Sequence, residues 1–217
     1  MLVQSVLATQ LDTNCWVVAP GDGGQAVAID PGVGVLDRVH DTLRAHGLHL
    51  AAVLLTHGHL DHTFSVEEIC REHGVPAHIH SADRAQLADP WSGFGAPHGT
   101  PIFGRSDFVE PADVRTYDTT LSVAGLDFTV TESPGHTPGS VLLGLPGLLF
   151  SGDTLFAGSI GRMDLPGGSE AHMAATLTNV IWPLPDELVV HPGHGRSTTI
   201  GAERAANPYL RELVGVR

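Results

Sequence analysis

Residues 51–63 read AAVLLTHGHLDHT: an apolar run, then three histidines and an aspartate between His57 and His62. A short, wholly apolar run is what a strand covered on both faces of its sheet requires. The residues just past such a strand are where α/β proteins place their ligands. Imidazoles and carboxylates are costly to bury unless each meets a hydrogen-bond partner, a metal or water. The stretch therefore predicts a strand that crosses a core and stops at a polar site.

Working outward, residues 2–8 and 14–19 read as strands, followed by the turn GDGG and the strand QAVAID. LDRVHDTLRAHG places Leu36, Val39 and Leu43 at helical spacing and stops at Gly47. HTFSVEEICREHG reads as one helix, PAHIH as extended, and SADRAQLAD as a helix with Ser81 at its N-cap. Residues 89–104, rich in glycine and proline, read as a long ordered loop. The strands LSVAG, LDFTVTES, SVLLGL and GLLFSG follow, then the helix SEAHMAATLTNVIW, the strand ELVVHPG and the helix TIGAERAAN. Two strand-rich halves with interspersed helices predict an α/β fold, two sheets with helices outside. Residues 1–217 are expected to form a single domain.

With 42% hydrophobic and 16% charged residues, the composition is that of a globular protein. The N-terminus lacks a basic leader, and no run approaches the roughly 20 apolar residues of a membrane helix, so a soluble, cytoplasmic protein is expected. A net charge of −13 disfavours nucleic acid as a partner. The expected partner is a small-molecule substrate, met by a monomer or homodimer. Cys15 and Cys70 form no CxxC pair and read as buried apolar side chains. All 11 basic residues are arginines, which excludes lysine bases, Schiff bases and Walker loops.

Three more strand ends repeat the pattern of the opening stretch: His136 in ESPGHTPGS, Asp153 in LLFSGDTLF and His194 in VVHPGHG. With His57, His59, Asp61 and His62 they make seven candidate ligands. Seven donors are too many for one tetrahedral ion but suit two if a carboxylate bridges. Nitrogen and oxygen donors without thiolate point to two divalent metal ions, Zn²⁺ first, with Fe or Mn as alternatives. Two such ions about 3.5 Å apart activate water and polarise a substrate oxygen. His40, His46, His49, His73, His98 and His172 read as surface or loop residues, and His78 and His80 as a strand face.

THGHLDH matches the HxHxDH signature, and His136, Asp153 and His194 follow in the order expected; at these residues the chain resembles the metallo-β-lactamase superfamily. The resemblance implies an αβ/βα metallo-β-lactamase sandwich, two mixed β-sheets flanked by helices. It implies a first metal site of His57, His59 and His136, a second of Asp61, His62 and His194, and Asp153 bridging. Asp30, in AIDPG, matches an early aspartate that orients a ligand from behind; the alternative is a turn residue before Pro31.

FSGDTLFAGSIGRMDLPGG and HPGHGRSTTIGAERAANP are similar to the glyoxalase-II-like, hydroxyacylglutathione hydrolase group. That similarity implies thioester cleavage by a metal-bridging hydroxide, with His59, Asp61 and Asp153 in the catalytic machinery. The chain departs from the group in that only 23 residues follow His194, so the C-terminal glutathione-binding domain is expected to be lacking, and no lysine can anchor a substrate carboxylate. Arg162, in IGRMD, is the candidate anchor; alternatively it pairs with Asp164 to stiffen its loop. Two other readings stay open: a mononuclear-iron persulfide dioxygenase of the same fold, using His57, His136 and Asp153, and a non-catalytic metal-binding or interaction protein.

Overall fold

The computed structural model describes residues 1–213. The apolar run forms the end of β4 (His49–Leu54), a central strand of a six-stranded sheet. Its neighbours in order are β1 (Leu2–Ala8), β2 (Thr13–Ala19) and β3 (Gln25–Ile29) on one side, β5 (Ala77–Ile79) and β6 (Val114–Thr116) on the other. β1 to β3 pair antiparallel, and β3 to β6 pair parallel. Parallel neighbours need crossovers. Helix α1 (Leu36–Ala45) connects β3 to β4, and α2 (Leu60–Thr63) with α3 (Val66–His73) connects β4 to β5.

The second sheet is built from β7 (Thr120–Val123), β8 (Leu126–Glu132), β9 (Val141–Leu145), β10 (Leu148–Gly152), β13 (Val189–Pro192) and β14 (Thr198–Thr199). It runs in the order β14-β13-β10-β9-β8-β7, and only β10 and β13 pair parallel. Between those two strands lie a small ribbon, β11 (Leu155–Phe156) with β12 (Ser159–Ile160), and α5 (Glu170–Thr176), which continues as a π-helical turn over Leu177–Ile181. Helices α6 (Ile200–Ala206) and α7 (Pro208–Leu213) close the outer layer.

Side-chain alternation along the strands sorts the core into three layers. In β2, Cys15, Val17 and Ala19 pack towards α1 and α3, while Trp16 and Val18 face the other sheet. Leu126, Phe128, Val130, Leu143 and Phe150 meet them from the second sheet. Leu149, Val190, Met173, Leu177 and Ile200 form the third layer, under the outer helices. β8 is buried only at alternate residues, so its Asp127 and Thr129 face solvent. The molecule is an αβ/βα sandwich, as predicted. Both cysteines are buried, and no helix among the described residues is long and apolar enough to cross a membrane.

Local departures from the sequence reading have physical causes. The single helix predicted from His62 onward is broken because Ser65 leaves the helical path: its N–H donates to Pro31 O (3.0 Å) and its hydroxyl to Gly32 O (2.7 Å). A side chain on Gly32 would collide with the Asp61 carbonyl oxygen, so this close approach requires glycine. The predicted helix over SADRAQLAD shrinks to a 3-10 turn, Arg84–Leu87, preceded by Asp83 instead of capped by Ser81. The loop over 89–104 carries a helical turn, α4 (Trp91–Phe94), pinned by Trp91 Nε1 donating to Thr100 O (2.7 Å).

Candidate metal centre

The centre lies where the two sheets end together. Beyond β3, Asp30 turns the chain at φ +53°. Its Oδ1 accepts from Thr56 N (2.8 Å) and its Oδ2 from Thr56 Oγ1 (2.6 Å), which ties the ends of the parallel pair β3 and β4. The same Oδ2 lies 3.0 Å from His62 Nδ1. Asp30 is therefore both the turn before Pro31 and the group that orients the His62 ring.

His57 and His59 flank Gly58 on the loop into α2, and Asp61 and His62 occupy its first turn. Gly58 N donates to Asp83 Oδ2 (2.9 Å), Thr137 Oγ1 to the same oxygen (2.6 Å), and Gly139 N to Asp83 Oδ1 (2.9 Å). Asp83 is fully buried, and it fastens the HxHxDH loop to the loop that carries His136. Sequence reasoning missed it. An aspartate in SADRAQ reads as a helix cap, and nothing local marks its partners 25 and 54 residues away.

His136 comes from the β8–β9 connection, Asp153 from the end of β10 and His194 from beyond β13. His136 Nδ1 donates to Arg162 O (2.7 Å) and His194 Nδ1 to Asp12 O (3.1 Å), because a carbonyl only accepts. Both rings thereby present Nε2 to the centre. His136 Nε2 lies 2.8 Å from His59 Nδ1. His194 Nε2 lies 3.1 Å from Asp61 Oδ2, and His62 Nε2 3.4 Å from the same oxygen. Asp153 stands between the groups: Oδ1 is 3.3 Å from His62 Nε2, and Oδ2 is 3.6 Å from both His136 and His194. A side chain on Gly193 would strike Asp153 Oδ1 and His62, so the backbone here must be bare.

The sequence-predicted ligands therefore meet. Donor atoms of His57, His59 and His136 lie within 4.8 Å of one another, and so do those of Asp61, His62 and His194. A third grouping joins Asp30 to His57 and His62, although the Asp30 oxygens already hold Thr56 and His62. His57 Nε2, His62 Nε2 and Asp153 Oδ1 are buried without a hydrogen-bond partner. Orphaned buried donors and acceptors are rare in folded proteins, and divalent cations would satisfy this set.

The electrostatics divide the cluster. Burial, reinforced by the surrounding imidazoles, pushes the His57 pKa well below its ordinary value. Burial and His136 lower that of His59 to about 4. Burial opposes charge on His62 too, but the carboxylates of Asp61, Asp153 and Asp30 outweigh it and raise the pKa well above the usual imidazole range. At His194 burial is likewise outweighed, by the hydrogen bond to Asp61 and by Asp153. Burial would raise Asp61 and Asp153, yet the facing imidazoles hold both below the ordinary carboxylate value.

Other predicted residues stand apart. The Arg162 guanidinium makes two 2.7 Å bonds to Asp164 and its side chain is 61% exposed, so it is its carbonyl that serves the centre, through His136. His78 stacks on Tyr117 and His80 pairs with Glu132, away from the cluster. Phe94 stacks on His59 (5.8 Å between centroids) and Phe156 meets His194 edge-on (5.9 Å), forming apolar flanks that the motifs did not reveal.

A four-layer sandwich with a buried His/Asp cluster at its strand ends is the architecture of a metallohydrolase. Residues 8–194 match the metallo-beta-lactamase superfamily, and the chain belongs to it. An uncharacterized protein of Mycobacterium tuberculosis is 40% identical over 223 residues, covering 98% of this chain and 99% of its own. A hydroxyacylglutathione hydrolase, GloC, of Haemophilus influenzae is 30% identical over 216 residues, covering 97% and 98%. Among solved structures, the BLEG-1 B3 metallo-beta-lactamase superposes with a TM-score of 0.85 at 34% identity, covering 96% of this chain and 99% of that one. TTHA1623, solved in a di-iron-bound form, superposes at 0.80 with 34% identity, covering 95% and 99%.

Proposed function

We propose that the chain is a dinuclear metallohydrolase that cleaves thioesters, with His57, His59 and His136 holding one divalent ion and Asp61, His62 and His194 the other. Asp153 is shared between them. The observation that carries this reading is the division of the two Asp153 oxygens: Oδ1 faces His62, and Oδ2 faces both His136 and His194. Zn²⁺ suits the donor set best, with Fe or Mn as alternatives, and a relative of known structure holds two irons. When bound, the ions supply water activation and polarisation of the substrate carbonyl.

The chain's own residues do the rest. Asp61, held by Thr13 Oγ1 (3.3 Å) and His194, presents a carboxylate oxygen to the attacking water. Asp30, Asp12 O and Arg162 O fix the His62, His194 and His136 rings, so the ligand lone pairs are aimed before substrate arrives. Phe94 and Phe156 flank the centre and shed water from an acyl group lying between them. A thiolate leaving group, with a pKa of about 8.5, departs without a dedicated proton donor. If Arg162 anchors a substrate carboxylate, it does so by exchanging Asp164 for it, one carboxylate for another.

The similarity to a hydroxyacylglutathione hydrolase supports the thioester reading. Its test is a substrate panel on the metal-loaded protein: a 2-hydroxyacyl-glutathione thioester, an uncharged thioester, a β-lactam, and glutathione persulfide with oxygen uptake followed. Release of free thiol from the thioesters is expected. Oxygen uptake with the persulfide, or β-lactam opening without thioester cleavage, would replace this reading.

A further inference from the structure

The helix layer on the first sheet holds another pair of facing imidazoles. His40 lies on α1 and His73 is the last residue of α3, and their Nε2 atoms stand 3.0 Å apart. Glu72 Oε2 lies 3.4 Å from the same His40 nitrogen. The three line an open cavity of about 630 Å³, which His49 and Arg44 also border. None of them touches the catalytic cluster, and neither the fold nor the proposed hydrolysis uses them.

Two nitrogens each about 2.0–2.1 Å from a tetrahedral ion stand roughly 3.3 Å apart. The 3.0 Å spacing here is close to that, and it repeats the 2.8 Å contact between His59 and His136 in the metal centre. Burial and the neighbouring His40 lower the His73 pKa, so its ring is neutral and carries a free lone pair at neutral pH. Glu72 and His73 occupy the last turn of α3, where the unpaired carbonyls favour a cation. The Glu72 side chain is 35% exposed and stands beside His40 alone, so its carboxylate would have to turn towards His73 to complete the set, and Arg44 is paired with Asp41.

We propose that His40, Glu72 and His73 form a separate site for a divalent transition-metal ion of the Zn²⁺, Co²⁺ or Ni²⁺ class, which clamps α1 to α3. Two imidazoles and one carboxylate suit those ions and not Ca²⁺ or Mg²⁺, which take oxygen ligands. With three ligands and an open cavity beside them, the ion would keep water at its remaining position.

The test adds excess Zn²⁺ to the full chain as isolated, removes loosely held ion by gel filtration, and counts metal equivalents per chain. The wild type is expected to retain one equivalent more than the His40→Gln/His73→Gln variant. Zn²⁺ should also raise the wild-type unfolding midpoint and leave that of the variant unmoved, while thioesterase activity is the same in both. The single variants His40→Gln and His73→Gln repeat the count with less perturbation. Equal metal equivalents in wild type and all three variants, with each variant folded, would overturn the site, since the facing imidazoles would then be an ordinary hydrogen-bonded pair.

Discussion

The two halves of the metal centre are built to opposite electrostatic designs. His57, His59 and His136 offer nitrogen alone, and burial keeps His57 and His59 neutral. Asp61, His62 and His194 mix carboxylate with imidazole, and there the acids outweigh burial and raise the pKa of both rings. The first half is thus ready for a cation at neutral pH. In the second, the raised pKa of His62 favours its protonated form, and a metal binding there must displace that proton. Asp153 faces both halves, Oδ1 towards His62 and Oδ2 towards His136 and His194.

The largest effect expected from this difference comes from splitting the halves. Asp61→Ala should empty the second half, leave the first loaded, and lower kcat by about 100-fold or more, since only one ion remains. His57→Ala should do the reverse to occupancy. Elemental analysis beside thiol-release kinetics checks both, and turnover like that of wild type in a folded Asp61→Ala variant would remove that carboxylate from the mechanism.

A pH titration sharpens the contrast. A ligand with a raised pKa releases its proton only as pH rises, so metal affinity in the second half should climb with pH through and above the ordinary imidazole range. In the first half, His57 and His59, whose pKa values are lowered, should release an ion only in acid, near the His59 value of about 4. Calorimetry in buffers of different ionisation enthalpy should find protons released on filling the second half at pH 7 and few on filling the first. Equal release from both would erase the distinction.

A smaller effect is expected behind the first half. Asp83→Ala leaves the Gly58 and Gly139 N–H groups and the Thr137 hydroxyl without their acceptor, which costs about 2–4 kcal/mol of stability. It should also weaken metal binding at His57, His59 and His136 by about 10–100-fold, as loss of supporting contacts does, while sparing the second half. A lowered midpoint in denaturant with unchanged first-half affinity would make Asp83 purely structural.

The smallest effect belongs to Arg162. Its guanidinium is exposed and already paired, and an alanine keeps the carbonyl that holds His136. Arg162→Ala should therefore change kcat/KM for carboxylate-bearing thioesters by less than about fivefold, and for uncharged ones not at all. A larger, charge-selective loss would make it the principal anchor.

The sandwich and the converging ligands were legible because both rest on local patterns. Strand alternation in LDFTVTE marks its inner face, and each ligand follows a β-like run beside glycine. The residues that tune the ligands were not legible. Asp83 and the Arg162 carbonyl act on partners distant in sequence, and a backbone carbonyl leaves no trace in residue identity. Ser65 breaks a helix that its own sequence favours, because Pro31 and Gly32 offer it tertiary partners.

The central claim, one centre of two ions joined by Asp153, is tested most directly by metal counts on wild-type and Asp153→Ala protein. Both should carry the His40→Gln/His73→Gln background, so that no ion outside the centre is counted. Two equivalents per chain are expected, with both occupancies falling in Asp153→Ala while the protein stays folded. A single tightly held iron, with no second ion taken up under metal excess, would contradict the account and point to a mononuclear oxygenase.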